Sequence, residues 1–203
     1  MKLPGRTKRS KKPIVASAVV LVVAVGVGAW AFMGHISIPP IAAKVVERDA
    51  EFPTVDTTEL STTRQQVIAL AKTEYEAQPD PTKYSQGVKE AWCADFISWI
   101  MNEIGQPYAN PNSGSWRIPG VYTLKEYYES AGAFRSVDSG YQPQPGDVAI
   151  YYKSPIFGDH VNIVLKNQNG VLTTVGGNEE GRIRVYENKA KNYTGLIGYG
   201  VVV

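Results

Sequence analysis

The chain of 203 residues holds one cysteine, Cys93, and two histidines, His35 and His160. A single thiol excludes an intramolecular disulfide framework and a cysteine-rich zinc site. The sequence contains no His/Cys cluster and no Asp-rich calcium loop of the EF-hand kind. Gly176-Gly177 precedes no Gly-Lys-Ser/Thr, so a phosphate-cradling loop is missing as well. No metal and no cofactor is therefore expected, and no internal repeat is visible.

Acidic residues are absent from the first thirteen positions, where Lys2, Arg6, Lys8, Arg9, Lys11 and Lys12 put +6. The remainder carries 15 basic and 19 acidic residues. The basic excess thus belongs to the tail, and no nucleic-acid surface is expected on the folded part.

Charge of either sign is absent from Ile14 to Met33, a run of twenty mostly apolar residues. A helix of that length spans about 30 Å, the thickness of a bilayer's hydrocarbon core. The preceding cations predict a cytoplasmic N-terminus, which would leave the rest of the chain outside. A cleaved signal peptide with Ala29-Trp30-Ala31 as its small-residue site is the alternative, although the run exceeds the usual apolar length of roughly 7–15 residues.

Residues 34–63 read as a tether. They open with Ile38-Pro39-Pro40 and show no sustained apolar period. The domain should begin near Ser61. Thr63 with Gln66 reads as a capping box. Val67, Leu70, Ala71 and Tyr75 then recur at helical spacing, and this helix should end before Pro79. A second helix is expected from Cys93 to about Ile104, with Cys93, Phe96, Ile97, Ile100 and Ile104 on one face and Gly105 beyond its end. A third is expected around Val121–Ser130. The period then shortens. Strands are predicted at 147–152, 161–166, 171–175, 182–187 and 196–203, with Asn167-Gln168-Asn169-Gly170 as a hairpin turn. Helices followed by antiparallel strands make an α+β domain.

Cys93 stands at the predicted start of a helix. That end carries about half a positive charge and free N–H groups, which favour a thiolate and can hold an oxyanion. A small buried hydrophobe is the competing reading of a lone cysteine. His35 abuts the apolar run, which leaves His160, at the head of the apolar strand Val161–Leu165, as the available base. A third group should orient the imidazole. Asn178 lies just past the next predicted strand, with Glu179 and Glu180 as competitors.

Trp92-Cys93-Ala94-Asp95-Phe96, Pro145-Gly146-Asp147-Val148, His160-Val161-Asn162-Ile163-Val164 and Gly177-Asn178 resemble, in this order, the segments of a CHAP domain. The resemblance covers about residues 64–203. It implies a papain-like α+β fold related to the NlpC/P60 group, with N-terminal helices packed on a C-terminal antiparallel sheet, and cysteine- and histidine-dependent amidase or peptidase activity. It carries the nucleophile onto Cys93, the general base onto His160 and the third polar residue onto Asn178. Many members have a glutamate shortly before that asparagine, where this chain has Gly176 and Gly177; here the glutamates follow.

Trp92, Asp95 and Trp116 are candidate substrate contacts. Asp95 equally fits as a complement to the helix dipole, and the two tryptophans as core. Tyr84 and Gln86 are weak candidates for a second oxyanion donor. The expected organisation is a basic tail (1–13), a membrane anchor (14–33), a tether (34–63) and a catalytic domain (64–203). The expected protein is a membrane-anchored, outward-facing hydrolase of peptidoglycan amide bonds, acting on the stem peptide or the muramic acid–alanine junction. Its partners would be wall and lipid bilayer. A wall-binding scaffold without turnover, and a cysteine hydrolase with a non-wall substrate, are the alternatives.

Overall fold

A computed structural model of the chain describes residues 46–47, 51–188 and 194–203. The basic tail, the apolar run 14–33 and the first part of the tether lie outside the described residues. No helix among the described residues is long and apolar enough to cross a membrane.

Three helices pack on one antiparallel sheet. Helix α1 spans Thr62–Ala77, α2 Cys93–Glu103 and α3 Val121–Ser130. The strands are β1 (Val46–Glu47), β2 (Phe134–Ser136), β3 (Val148–Ser154), β4 (Gly158–Gln168), β5 (Val171–Glu179), β6 (Arg182–Asn188) and β7 (Leu196–Gly200). They lie in the order β1-β6-β5-β4-β3-β7-β2, every neighbouring pair antiparallel. The α+β expectation holds. Two short edge strands, β1 and β2, were not legible, since neither is long enough to show an alternating pattern.

Local chemistry accounts for the element ends. Ser61, not Thr63, caps α1: its Oγ accepts from the Arg64 N–H at 3.4 Å. Gln78 ends that helix in the left-handed region, φ 45°. Gly105 follows α2 at φ 76°, as its predicted position beyond the helix requires. The turn between β4 and β5 has both central residues, Asn169 and Gly170, at positive φ, the backbone of a tight hairpin.

Helix α2 packs on β4 and β5. Phe96, Ile97 and Ile100 join Val161, Ile163, Leu165, Val175 and Val185 in the main core. A smaller cluster of Ala149, Tyr151, Val164, Leu172 and Tyr199 forms elsewhere on the sheet. Phe52, Val55 and Leu60 pack against the main core, and the Phe52 ring lies 5.6 Å from that of Tyr75. Together with the pairing of β1 and β6, this draws the second half of the expected tether into the fold.

The Pro145-Gly146-Asp147 segment serves as a clamp. Asp147 is fully buried. Its Oδ1 accepts from Arg64 Nη2 at 2.6 Å and from the Val202 N–H at 3.1 Å. Its Oδ2 accepts from the Tyr141 hydroxyl and the Gln144 N–H. One carboxylate thus joins α1, the turn before β3 and the residues after β7, with its charge met by a cation and three further donors.

Candidate active site

Cys93 is the first residue of α2 and is free and buried. Trp92, at the cap position, makes no side-chain capping bond. The helix's own ladder starts at Phe96, whose N–H reaches Trp92 O at 2.9 Å. The N–H groups of Cys93, Ala94 and Asp95 precede that first bond.

His160 lies on β4 and pairs across the sheet with Tyr151. Its ring lies within interaction range of the Cys93 side chain and of the Glu179 carboxylate. The Nε2–Glu179 Oε1 distance is 2.9 Å. The Phe157 ring stacks on the imidazole at 5.3 Å and 17°, and Tyr186 packs edge-on against Phe157. Cys93, His160 and Glu179 are 4%, 5% and 4% exposed, so the three groups meet almost out of water. Burial pulls the imidazole's affinity for protons down. The hydrogen bonds and charges of Cys93 and Glu179 outweigh it and raise His160 to about 10. Both neighbours favour the protonated ring.

The third position differs from the sequence expectation of Asn178. The ring's partner is Glu179, and the cause is a β-bulge. Strand β5 pairs with β4 through Val175–Ile163 and Thr174–Val164. Continuing that register would set Asn178 opposite His160. On its other side β5 pairs Gly176 with Arg184, then Glu179 with Arg182, so Gly177 and Asn178 together face Ile183. The extra residue is accommodated by Asn178 at φ 60°, a conformation asparagine adopts more readily than most residues. Glu179 then falls where Asn178 would have stood. Ile183, opposite the bulge, donates its N–H to Gln78 Oε1 at 3.1 Å and accepts from Gln78 Nε2 at 2.8 Å.

Two glycines make this packing feasible. A Cβ on Gly177 would come within 2.5 Å of Trp92 and 2.7 Å of Phe96, so β5 lies directly against the start of α2. A Cβ on Gly176 would come within 2.5 Å of Glu179 Oε1, so the carboxylate fills the space a side chain there would need.

The other candidates lie apart from this line. Asp95 is fully buried and accepts from Arg117 Nε at 2.7 Å and Nη2 at 3.4 Å. Arg117 also pairs with Glu90. Burial pushes the Asp95 carboxyl up to about 7 and lowers Arg117, so each charge depends on the other. The substrate-contact reading of Asp95 gives way to this ion pair. Trp92 stacks on Tyr84 at 5.2 Å and lines a groove of about 460 Å³ together with Pro81, Thr82, Ser85 and Val88. Trp116 is half-buried beside Arg117. Tyr84 is fully buried and donates to Glu74, so it is no oxyanion donor; Gln86 is exposed. A hollow of about 170 Å³ opens on His160 and is lined by Phe157, Asn178, Glu179, Glu180 and Tyr186.

Sequence reasoning passed over Arg117, Tyr186 and Asn162. Asn162 had a signal, being the one polar residue inside the apolar run Val161–Leu165.

The family model of the CHAP domain matches residues 83–178. Cys93, His160 and Asn178 fall inside that match, and Glu179 is the first residue beyond it. No curated protein matches the chain.

Proposed function

From the premise that residues 83–178 belong to the CHAP domain family, a family of amidase and peptidase hydrolases, we propose that this protein is a cysteine hydrolase that cleaves peptidoglycan amide bonds. The reading rests on one observation: His160 interacts with both the Cys93 side chain and Glu179, with Nε2 2.9 Å from the carboxylate.

In the proposed reaction the working form is the one in which the Cys93 proton already sits on His160, a thiolate beside an imidazolium. The sulfur attacks the amide carbonyl carbon, and the oxygen gathers the negative charge. The Cys93 N–H, at the N-terminus of α2, is placed to stabilise it. As the C–N bond breaks, the imidazolium protonates the departing amine. Water, deprotonated by His160, then attacks the thioester, releases the carboxylic acid and returns the thiol. Glu179 keeps the ring oriented and supports its positive charge through both halves.

Wall as the substrate is consistent with the expected anchor at 14–33, which would hold the domain outside the membrane, joined by the part of the expected tether that precedes β1. Incubation of the full-length protein with purified peptidoglycan, followed by mass spectrometry of the muropeptides, tests activity and bond together. New amine and carboxyl ends are expected with wild type and none with Cys93→Ala. Binding of wall without new ends would instead establish the scaffold reading. Cleavage of protein substrates alone would move the substrate away from wall.

A further inference from the structure

Asn162 is fully buried on β4, two residues from His160. Its Nδ2 lies 3.2 Å from Thr174 Oγ1. Its Oδ1 is buried without a hydrogen-bond partner among the described residues. That oxygen faces the space above Gly176, as does Glu179 Oε1: a Cβ on Gly176 would overlap the first and come within 2.5 Å of the second. Two acceptors crowded into one dry space, one of them unsatisfied, are unfavourable.

Turning the amide by 180° resolves the conflict. The two ends of an asparagine amide have nearly the same shape, so the turn exchanges Oδ1 and Nδ2 without disturbing packing. Nδ2 then faces the space above Gly176 that Glu179 Oε1 also lines. Oδ1 points at the Thr174 hydroxyl, which donates as readily as it accepts. We propose that Asn162 is a positioning residue, its amide donating from Nδ2 to the Glu179 carboxylate with Thr174 donating to Oδ1, and that position 176 is glycine so that these groups can meet.

The proposal deepens the reading of Cys93, His160 and Glu179 as the working site, and it rests on that reading. A buried carboxylate that stays charged needs donors. The Tyr186 hydroxyl supplies one, since it hydrogen-bonds Glu179. The His160 N–H supplies a second, and Asn162 would be the third.

Alkylation of Cys93, the sole cysteine, by iodoacetamide tests this without any wall substrate. The thiolate is the reacting species, so the pH dependence of the rate reports how far the Cys93–His160 pair is charge-separated. Asn162→Leu is expected to slow alkylation roughly tenfold at about pH 6, the change one unit in apparent pKa produces, with unchanged circular dichroism. Thr174→Val should shift the profile in the same direction by about threefold. In a Glu179→Gln background, Asn162→Leu should add no further change, whereas a purely structural role would add its own.

The proposal is overturned if both single variants keep the wild-type profile, or if the two losses simply add. Should Asn162→Leu fail to fold, Thr174→Val decides alone. Shifted profiles together with inert wall would sink the substrate assignment and leave the role of Asn162 standing. An ordinary thiol profile in wild type would remove the charged pair, and the role of Asn162 with it.

Discussion

Glu179 reaches His160 because the residue before it, Asn178, bends β5 into the left-handed region. One extra residue against Ile183 exchanges the side chain that meets the ring. The consequence is a full carboxylate beside the imidazole where an asparagine amide was expected. A carboxylate stabilises the imidazolium by charge as well as by direction.

Glu179→Gln keeps the shape and removes the charge. Hydrolysis of wall fragments, the proposed activity, should fall about 100-fold in kcat, within the range by which positioned acid–base groups act. Asn178→Gly retains the positive φ that the bulge requires and should stay within about threefold of wild type. Steady-state kinetics on both variants checks the assignment. The reverse ranking would return the third position to Asn178.

The raised His160 value sets a pH dependence. In the proposed reaction the ring is protonated when the amine leaves, so the alkaline limb of the rate profile should lie near 10 and not near the ordinary histidine value of 6.5. The same shift bears on stability. Between 6.5 and about 10 the folded state keeps a proton on this ring that the unfolded chain has lost. The contribution is therefore complete below 6.5 and disappears as pH rises through 10. Glu179→Gln should lower the thermal midpoint relative to wild type more at about pH 6 than at about pH 10.5. Calorimetry at the two values is the check, and an equal deficit at both would contradict it.

Gln78 ties the end of α1 to the bulge through both backbone groups of Ile183. Gln78→Met preserves length and removes both bonds. A loss of about 1–3 kcal/mol in unfolding free energy is expected from the unsatisfied groups. Urea unfolding measures it. Activity should fall as well, since the bulge aims Glu179.

Gly177→Ala would drive a methyl into Trp92 and Phe96, where 2.5 Å and 2.7 Å are available. Overpacking of this kind costs about 1–3 kcal/mol. The strain falls on the start of α2, so Cys93 moves relative to His160. Alkylation of Cys93 at about pH 6 should be slower in this variant than in wild type, while Gly181→Ala, whose Cβ would meet nothing within 4 Å, should affect stability through its φ of 78° alone.

The helices and most strands were legible because their apolar spacing is regular and their ends are marked. Gly105 and Asn169-Gly170 fell where turn chemistry put them. The cap of α1 was misplaced by two residues because Ser61, Thr62 and Thr63 all offer a hydroxyl, and helix geometry selects among them. The strand β5 was expected to stop at Val175, before Gly176-Gly177. In the fold these glycines are where α2 and the Glu179 carboxylate come close, and the strand runs through them.

From sequence alone followed the α+β order, the unpaired thiol at a helix start and the single usable histidine at a strand head. These are local properties: spacing, end signals and the scarcity of two residue types. The partner of His160, the burial of Asp95 against Arg117 and the neighbourhood of Asn162 were decided in three dimensions. Strand register is a relation between segments, and a one-residue bulge changes which side chain stands opposite another without any simple mark in the alternation of either strand.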